Sequence, residues 1–252
     1  MSYILLDRAD RVATVTINDP DKRNAINNEM NAELLEVFDN LEADDGVGAI
    51  VVTGAPPAFC AGADLDDLLA GGEAGTMRDI YSGFLRVAHT PLPTVAAVNG
   101  AAVGAGMNIV LACDLVVAGR SARFDSRFLQ IGLHPGGGHT WRLRRVTDHQ
   151  TTMAMVVFGQ VLSGDEAAER GLAWDAVDDD QLLARAHELA GRAASFPREL
   201  VARTKGSILR LAEITGSEAA VDHELEPQLW SMHEPEFQNL VTELRTRISG
   251  KD

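Results

Sequence analysis

The stretch from Val98 to Asn108 has the residue types that a site for an anion or a polarised carbonyl requires. An apolar run, Thr94 to Val98, stops at Asn-Gly and gives way to a loop of glycine and alanine. The apolar segment that follows, Met107 to Cys113, is predicted to be a short buried helix. Small residues let a ligand approach the backbone, and the first N–H groups of a helix lack partners within it. The same pattern also fits a tight turn in which glycine serves packing alone.

A second loop of small residues runs from Ala58 to Asp64. The segment before it, Ala49 to Thr53, is uniformly apolar and β-rich, as in a strand buried on both faces. The loop leads into a short predicted helix, Leu65 to Leu69. A strand, a small-residue loop and a helix therefore follow one another twice in this chain.

Composition argues against several classes of function. The 252 residues are 46% hydrophobic and 23% charged, an ordinary balance for a globular chain of one large domain or one domain with an appendage. The formal net charge of -15 argues against nucleic acid or an anionic membrane as the main partner. Two cysteines, Cys60 and Cys113, rule out a disulfide framework and fit a reducing compartment. No secretory signal and no apolar run of membrane length is visible, so we expect a cytoplasmic protein.

The elements that must position the two loops alternate between strands and helices, which predicts an α/β core with right-handed crossovers. Predicted strands cover residues 3–7, 12–17, 49–53, 94–98, 114–118, 122–124 and 173–177. Predicted helices cover residues 27–41, 65–69, 76–88, 107–113, 180–194, 198–213, 217–230 and 235–247, with further helix starts at His139 and after Ser163. Gly71 to Gly75 is predicted to be a loop.

Six short motifs occur in a fixed order along the chain. They are residues 20–26 (PDKRNAI), 58–65 (AFCAGADL), 97–106 (AVNGAAVGAG), 112–115 (ACDL), Gly132 with Pro135-Gly136, and Leu162-Ser163 with 167–172. In type and spacing they resemble the crotonase superfamily, the enoyl-CoA hydratase/isomerase group, along essentially the whole chain. The resemblance is more specific than any single glycine motif.

The resemblance implies a fold and a ligand class. It implies an α/β chain with a spiral of ββα units and a helical C-terminal region. Residues 1–195 would form the acyl-CoA-binding core, and residues 196–252 would serve trimerisation and close the CoA site. A homotrimer or a homohexamer is expected, with an acyl-CoA as substrate. CoA then enters as part of the thioester, so no separate cofactor and no metal is expected.

The resemblance also assigns roles to residues in both loops. The backbone N–H groups of Ala63 and Ala105 match the pair that donates to the thioester oxygen and stabilises an enolate. Residues implied to hold CoA are Lys22, Arg23, Ala25, Ala61, Asp64, Leu65 and Lys205. Cations among them suit the CoA phosphates through charge-assisted hydrogen bonds. Asp66 departs from relatives that often have a lysine there, and it predicts weaker or displaced CoA binding at that edge.

The reacting centre departs from the family pattern. Hydratases of this family use two glutamates on one water, and the matching positions here are Asn108 and Phe128. An amide can hold water but cannot accept its proton, and a phenyl ring can do neither. General acid–base catalysis contributes roughly 10²–10⁴-fold, so we expect little hydratase or isomerase activity from these two positions.

Other side chains near these loops could carry chemistry. Asp125 precedes the Phe128 position, and His134 and His139 flank a Pro-Gly-Gly-Gly turn. Asp125 and His134 are candidates for acid–base roles, against structural readings as a turn or ion-pair residue and a satisfied histidine. His139 is the weaker candidate because it is predicted to begin a helix. Three hypotheses remain open: an acyl-CoA enzyme, a non-catalytic acyl-CoA binder or carrier, and a scaffold that has lost its ligand.

Overall fold

The computed structural model describes residues 2–70 and 74–249. The chain divides into two compact units, Met1–Ala194 and Ser195–Asp252. Among the described residues, no helix is long and apolar enough to cross a membrane.

In the described part of the first unit, nine strands build two sheets. They are β1 (Ile4–Ala9), β2 (Val12–Ile17), β3 (Ala49–Gly54), β4 (Thr94–Val98), β5 (Ala101–Val103), β6 (Leu115–Gly119), β7 (Arg123–Asp125), β8 (Leu162–Ser163) and β9 (Asp175–Val177). The larger sheet has the order β1-β2-β3-β4-β6-β9 and is parallel except for the β1–β2 pair. The smaller sheet has the order β5-β7-β8, with β5 and β7 parallel.

Single bridges extend the smaller sheet through the two small-residue loops. Ile26 pairs with Ala63, and Cys60 pairs with Ala102, both in the parallel sense. Successive turns of the chain therefore contribute a long strand to one sheet and a short extended segment beside the other. This is the repeated arrangement that the resemblance predicted.

Eight α-helices complete the first unit as far as the structure describes it. They are α1 (Asn28–Ala43), α2 (Leu65–Ala70), α3 (Ala74–His89), α4 (Ala105–Val110), α5 (His139–Val146), α6 (His149–Val156), α7 (Gly164–Glu169) and α8 (Leu182–Ala194). Helix α1 begins where the Asn27 side chain accepts from the N–H of Met30, and it buries one apolar face. Helix α8 packs its alanines against the apolar residues of β2, β3, β4 and β6. Strands β2, β3 and β4 of the larger sheet are thus buried on both faces, as their apolar composition requires, whereas the edge strand β1 is mostly exposed.

The second unit is helical. Its helices are α9 (Arg198–Arg210), α10 (Ser217–His233) and α11 (Pro235–Ser249), with a short 3-10 turn at Leu211–Glu213. The guanidinium of Arg203 lies 4.2 Å from the centre of the Trp230 ring, which ties α9 to α10. Neither α9 nor α10 has a buried residue. Large apolar side chains of the unit are exposed in this single chain, among them Val221, Leu225, Leu229, Met232, Phe237, Leu240, Leu244 and Ile248.

Most predicted elements occur within a few residues of their expected bounds, and the corrections are local. The expected loop after Val98 contains strand β5, and helix α4 begins at Ala105 rather than Met107. Helix α6 and strand β8 were not predicted. Of the loop predicted at Gly71 to Gly75, residues 71–73 lie outside the described residues, and Ala74 already begins α3.

Candidate active site

Both small-residue loops border one cavity of about 700 Å³ in the first unit. Its wall includes main chain from the two loops, polar side chains and an apolar region. The residues that line it include Lys22, Ala25, Ala61, Ala63, Asp64, Leu65, Tyr81, Phe84, Ala105, Asn108, Ser126, Phe128, Leu133 and His134. A cavity of this size, apolar with a few convergent polar groups, is the usual form of a small-molecule site.

Main-chain hydrogen bonds fix the first loop against the segment that follows β2. The N–H of Ala61 donates to Arg23 O at 3.0 Å, and the N–H of Ile26 donates to Gly62 O at 2.7 Å. The N–H of Asp64 then donates to Ile26 O at 2.8 Å. Ala63 therefore lies in a short paired segment rather than in a free loop.

The buried side chain of Asn24 holds the start of the same loop. Its amide donates to Ala55 O and Ala58 O, each at 2.7 Å, and its Oδ1 accepts from the N–H of Asp19 at 2.9 Å. Asn24 has φ of 59°, a left-handed conformation that asparagine tolerates better than most residues. The Asn24 side chain thus joins the start of the loop, at Ala55 and Ala58, to the backbone of Asp19.

The two loops are in direct contact with each other. The N–H of Cys60 donates to Ala101 O at 3.0 Å, and the N–H of Val103 donates to Cys60 O at 2.9 Å. A Cβ on Gly106 would lie only 2.2 Å from Cys60 O, so glycine is required there. Gly104 turns the chain from β5 into α4 with φ of 50°. These contacts set the position of Ala105 relative to the first loop.

Ala63 and Ala105 both line the cavity. Within residues 2–70 and 74–249, neither main-chain N–H donates to a protein acceptor. Ala105 is the first residue of α4, where a backbone N–H has no intrahelical acceptor. Two such donors that converge on one point can bind a carbonyl oxygen and stabilise charge that develops on it.

A hydrogen-bonded series of side chains lies beside these donors. Asn108, on α4, places its Oδ1 2.9 Å from Nδ1 of His139, at the start of α5. Nε2 of the same imidazole lies 2.9 Å from Oγ of Ser126, which follows β7. The three side chains are buried, and Asn108 and Ser126 also line the cavity.

The partners of Asn108 assign the tautomer of His139. The Asn108 amide nitrogen lies 3.3 Å from Gly136 O, which directs Oδ1 toward the imidazole. Nδ1 must then carry the proton and donate, because a carbonyl oxygen only accepts. Burial lowers the pKa of His139 from 6.5 to about 4, so the ring is neutral at pH 7. Nε2 is consequently an acceptor, and the Ser126 hydroxyl donates to it.

The apolar region of the cavity surrounds these polar groups. The Phe128 ring meets the imidazole of His139 edge-on, with centroids 4.9 Å apart. Tyr81 and Phe84 on α3 pack with centroids 5.7 Å apart and line the same wall. Position 128 therefore excludes water from one side of the imidazole.

Asp125 and His134, the two other candidates for acid–base roles, differ in whether they line the cavity. Asp125 is buried, does not border the cavity, and its carboxylate accepts from Nε of Arg127 at 2.9 Å. His134 borders the cavity with an exposed ring, and its Nδ1 lies 2.8 Å from Pro135 O. Geometry favours His134 over Asp125 as a group that could reach a ligand. Catalytic roles for both remain predictions.

The residues expected to hold CoA are not all at the cavity. Ala25, Ala61, Leu65, Lys22 and Asp64 line it. Nζ of Lys22 lies 2.8 Å from Oδ2 of Asp64, and this bond raises the pKa of Lys22 and lowers that of Asp64. Arg23 is exposed and does not line the cavity, and Lys205 lies on α9 in the second unit.

Sequence reasoning did not assign a role to the two residues that complete the polar series. Ser126 was not singled out, and His139 was interpreted mainly as the start of a helix. That helix start is confirmed, yet the side chain points inward and lies within hydrogen-bonding distance of two buried groups. No local motif indicates this, because Asn108 and His139 are 31 positions apart.

The fold agrees with what comparisons with known proteins find. The family model for enoyl-CoA hydratase/isomerase matches residues 7–239. A Mycobacterium tuberculosis protein described as a probable enoyl-CoA hydratase, EchA14, is 45% identical over 242 residues, covering 93% of this chain and 94% of its own. The chain belongs to the enoyl-CoA hydratase/isomerase family.

Further relatives have differing reactions in their names. The 1,2-epoxyphenylacetyl-CoA isomerase of Escherichia coli is 38% identical over 205 residues, with 78% of each chain covered. The crystal structure of an enoyl-CoA hydratase from Mycobacterium smegmatis has a TM-score of 0.90 at 30% identity, covering 97% of this chain and 96% of that one. The predicted crotonase-like fold is thereby confirmed, as is membership of an enzyme family.

Proposed function

We propose that this chain is an acyl-CoA enzyme that polarises the thioester carbonyl between the N–H groups of Ala63 and Ala105. The observation that carries the proposal is that Ala63 and Ala105 line one cavity and that neither main-chain N–H has a protein acceptor among the described residues. Negative charge on the thioester oxygen, as in an enolate, would be stabilised there. Removing one donor from a comparable site costs roughly 3–4 kcal/mol.

Standard hydration is not the reaction that these side chains support. Water addition needs a base for the attacking water and an acid for the α-carbon. Asn108 offers an amide whose oxygen already accepts from His139, and Phe128 offers only a ring edge and face. The proposed activity therefore keeps the family's carbonyl binding but not its pair of carboxylates.

A binding titration and a turnover panel test the proposal together. Calorimetry with acetyl-, butyryl-, octanoyl- and crotonyl-CoA should give dissociation constants in the micromolar range, and binding should weaken with salt because CoA is anionic. Free CoA should bind more weakly than its thioesters, since it lacks the carbonyl and the acyl group. No binding of any thioester at low salt would refute the assignment.

A non-catalytic acyl-CoA binder is the second candidate, and the loss of both carboxylates favours it. Turnover separates the two. A binder would leave every thioester in the panel unchanged by mass spectrometry after prolonged incubation. An enzyme would alter at least one of them.

We also propose how CoA is held and how the chain assembles. CoA would take part only as the substrate's carrier group, with Lys22, Arg23 and Lys205 as candidate phosphate contacts. A homotrimer or homohexamer and a cytoplasmic location remain part of this proposal.

A further inference from the structure

We propose that Ser126 is a nucleophile that takes the acyl group from a CoA thioester, so that the chain hydrolyses thioesters through an acyl-serine intermediate. This inference rests on the proposed function, because it uses the same cavity and the same two N–H donors. It gives chemical roles to Ser126 and His139, which have none in the expected family chemistry.

The hydrogen bonds of the series run in the direction that nucleophile activation requires. Ser126 donates to Nε2 of His139, and Nδ1 of His139 donates to Oδ1 of Asn108, each over 2.9 Å. A hydroxyl or thiol, an imidazole and a side-chain carbonyl in this order activate nucleophiles on several unrelated folds, with aspartate or asparagine as the third group. The order is recognised by geometry rather than by sequence position, and here all three groups come from different elements.

The sheet register places the nucleophile beside the donors. Strands β5 and β7 are paired so that Val103 lies opposite Asp125, and the N–H of Gly104 donates to Asp125 O at 2.9 Å. Gly104 directly follows β5 and Ser126 directly follows β7, so the two residues lie at the same end of two adjacent strands. Ala105, with its N–H, comes directly after Gly104. A carbonyl carbon in front of Ser126 would have its oxygen near the Ala105 end of the donor pair.

The surroundings keep the imidazole in its basic form. Asn108, Ser126 and Phe128 contact the ring, and none of them carries a charge. The lowered pKa of His139 keeps Nε2 unprotonated at neutral pH, where it accepts from the Ser126 hydroxyl, and it also makes the ring a weaker base than an ordinary histidine. Asparagine cannot stabilise the imidazolium as a carboxylate does, so acylation should be slower than with aspartate at position 108.

The reaction balances with water as the only co-reactant. Ser126 Oγ forms a bond to the thioester carbon, and its proton moves to His139 Nε2. The oxyanion accepts from the Ala63 and Ala105 N–H groups, the C–S bond breaks, and the proton passes from Nε2 to the CoA sulfur. Water then attacks the acyl-serine ester, with His139 again accepting a proton and returning it to Ser126. The products are a carboxylic acid and CoA.

Saturated thioesters test this inference without interference from hydration. The experiment uses the full chain with acetyl-, butyryl- and octanoyl-CoA, and compares wild type, Ser126→Ala and the matched control Ser121→Ala. Ser121 is exposed and lies just before β7. Three quantities are measured: thioester affinity by calorimetry, CoA release by chromatography, and the site of reaction with a fluorophosphonate probe by peptide mass spectrometry.

The expected result is CoA release that Ser126→Ala lowers at least tenfold while thioester affinity stays within about threefold of wild type. Ser121→Ala should release CoA at the wild-type rate, and the probe should modify Ser126. His139→Gln should lower the rate near neutral pH, and its residual rate should rise with pH because hydroxide must then remove the serine proton. A variant with only a packing defect would not change the pH profile.

Three results would overturn the inference. Thioester binding without CoA release above the uncatalysed rate would refute the acyl-serine reaction and leave the proposed carbonyl site intact. CoA release that Ser126→Ala lowers by less than tenfold would assign hydrolysis to another group. Absence of thioester binding in wild type would instead refute the proposed function, and this inference with it.

Discussion

The Oδ1 atom of Asn108 lies 2.9 Å from Nδ1 of His139. The amide is therefore a hydrogen-bond acceptor for a buried neutral imidazole rather than a base for water. Asn108, which the sequence resemblance predicts to stand in place of a glutamate, is in this way part of a hydrogen-bonded series with His139 and Ser126.

Crotonyl-CoA hydration by the wild-type chain should be at least about a hundredfold slower than a site with two carboxylates would allow. Asn108→Glu and Phe128→Glu should each help little alone, because two carboxylates act on one water as a unit. The double variant should exceed the two single variants combined in steady-state assays. Unchanged octanoyl-CoA affinity in each variant is the control, and rapid hydration by the wild type would contradict this reading of the site.

Acidification should destabilise the fold partly through His139. Its pKa is about 4 in the folded chain and near 6.5 when unfolded, so between these values the unfolded state binds more protons. Stability is therefore lost as the pH falls from 6.5 toward 4, by about 2 kcal/mol between pH 7 and pH 5 for this group. Urea unfolding at both pH values should show a smaller loss for His139→Gln than for wild type. His149→Gln, at an exposed position, serves as control and should match wild type.

Substitutions of Lys22 and of Asp64 should change the affinity for CoA thioesters in opposite directions. Lys22→Gln removes a cation from the cavity wall and should weaken binding by about threefold to tenfold at low salt, in line with the modest strength of exposed ion pairs. Asp64→Asn leaves Lys22 free to meet phosphate and should strengthen binding. Calorimetry at two salt concentrations measures both effects, and both should shrink at the higher one. Asp21→Asn, exposed in the same loop, should change little.

Assembly should depend on the exposed apolar residues of the second unit. Light scattering at micromolar concentration should give the mass of a trimer or hexamer, because Leu225, Leu229, Phe237, Leu240 and Leu244 would otherwise remain in water. Leu240→Glu should lower that mass, while Thr242→Glu, on a different side of α11, should not. A monomeric wild-type chain would refute the prediction.

Asn24→Ala should lower the free energy of unfolding by about 2–4 kcal/mol, since it removes the donor to the buried carbonyl of Ala58 and to the partly buried carbonyl of Ala55. The same change should weaken thioester binding, because the loop that ends at Ala63 loses its anchor. Urea unfolding and calorimetry measure the two effects. Asn40→Ala, at an exposed position of α1, should alter the free energy of unfolding by less than about 0.5 kcal/mol.

Regular elements were predictable because their apolar periodicity is local. The strands at 12–17 and 94–98 were placed at their observed bounds, and the capping box at Ser163 was recognised from spacing alone. Strand β5 was missed because Ala101–Val103 is short and follows Asn-Gly, so its pairing with β7 decides its conformation. The β-propensity of a segment does not depend on such tertiary pairing and therefore cannot predict it.

The site was predictable only in its main-chain part. Both loops were found because small residues around a helix start have a local signature, whereas the contact between Ser126 and His139 depends on how the chain after β7 returns to α4. His139 also illustrates a general ambiguity, since a histidine at a helix start can face solvent or the core with the same sequence around it. Burial and hydrogen-bond partners decide the matter, and they are tertiary facts.

The contact between Gly106 and Cys60 O has a consequence for how this chain can vary over generations. Because the two loops are held by main-chain atoms, a gene can accumulate changes at positions 108, 126, 128 and 139 without altering the pair of N–H donors. Under the proposed function, each such change would alter proton transfer or nucleophilicity while carbonyl binding persists. A lineage with this scaffold could then exchange one reaction for another through intermediates that all still bind the same kind of ligand.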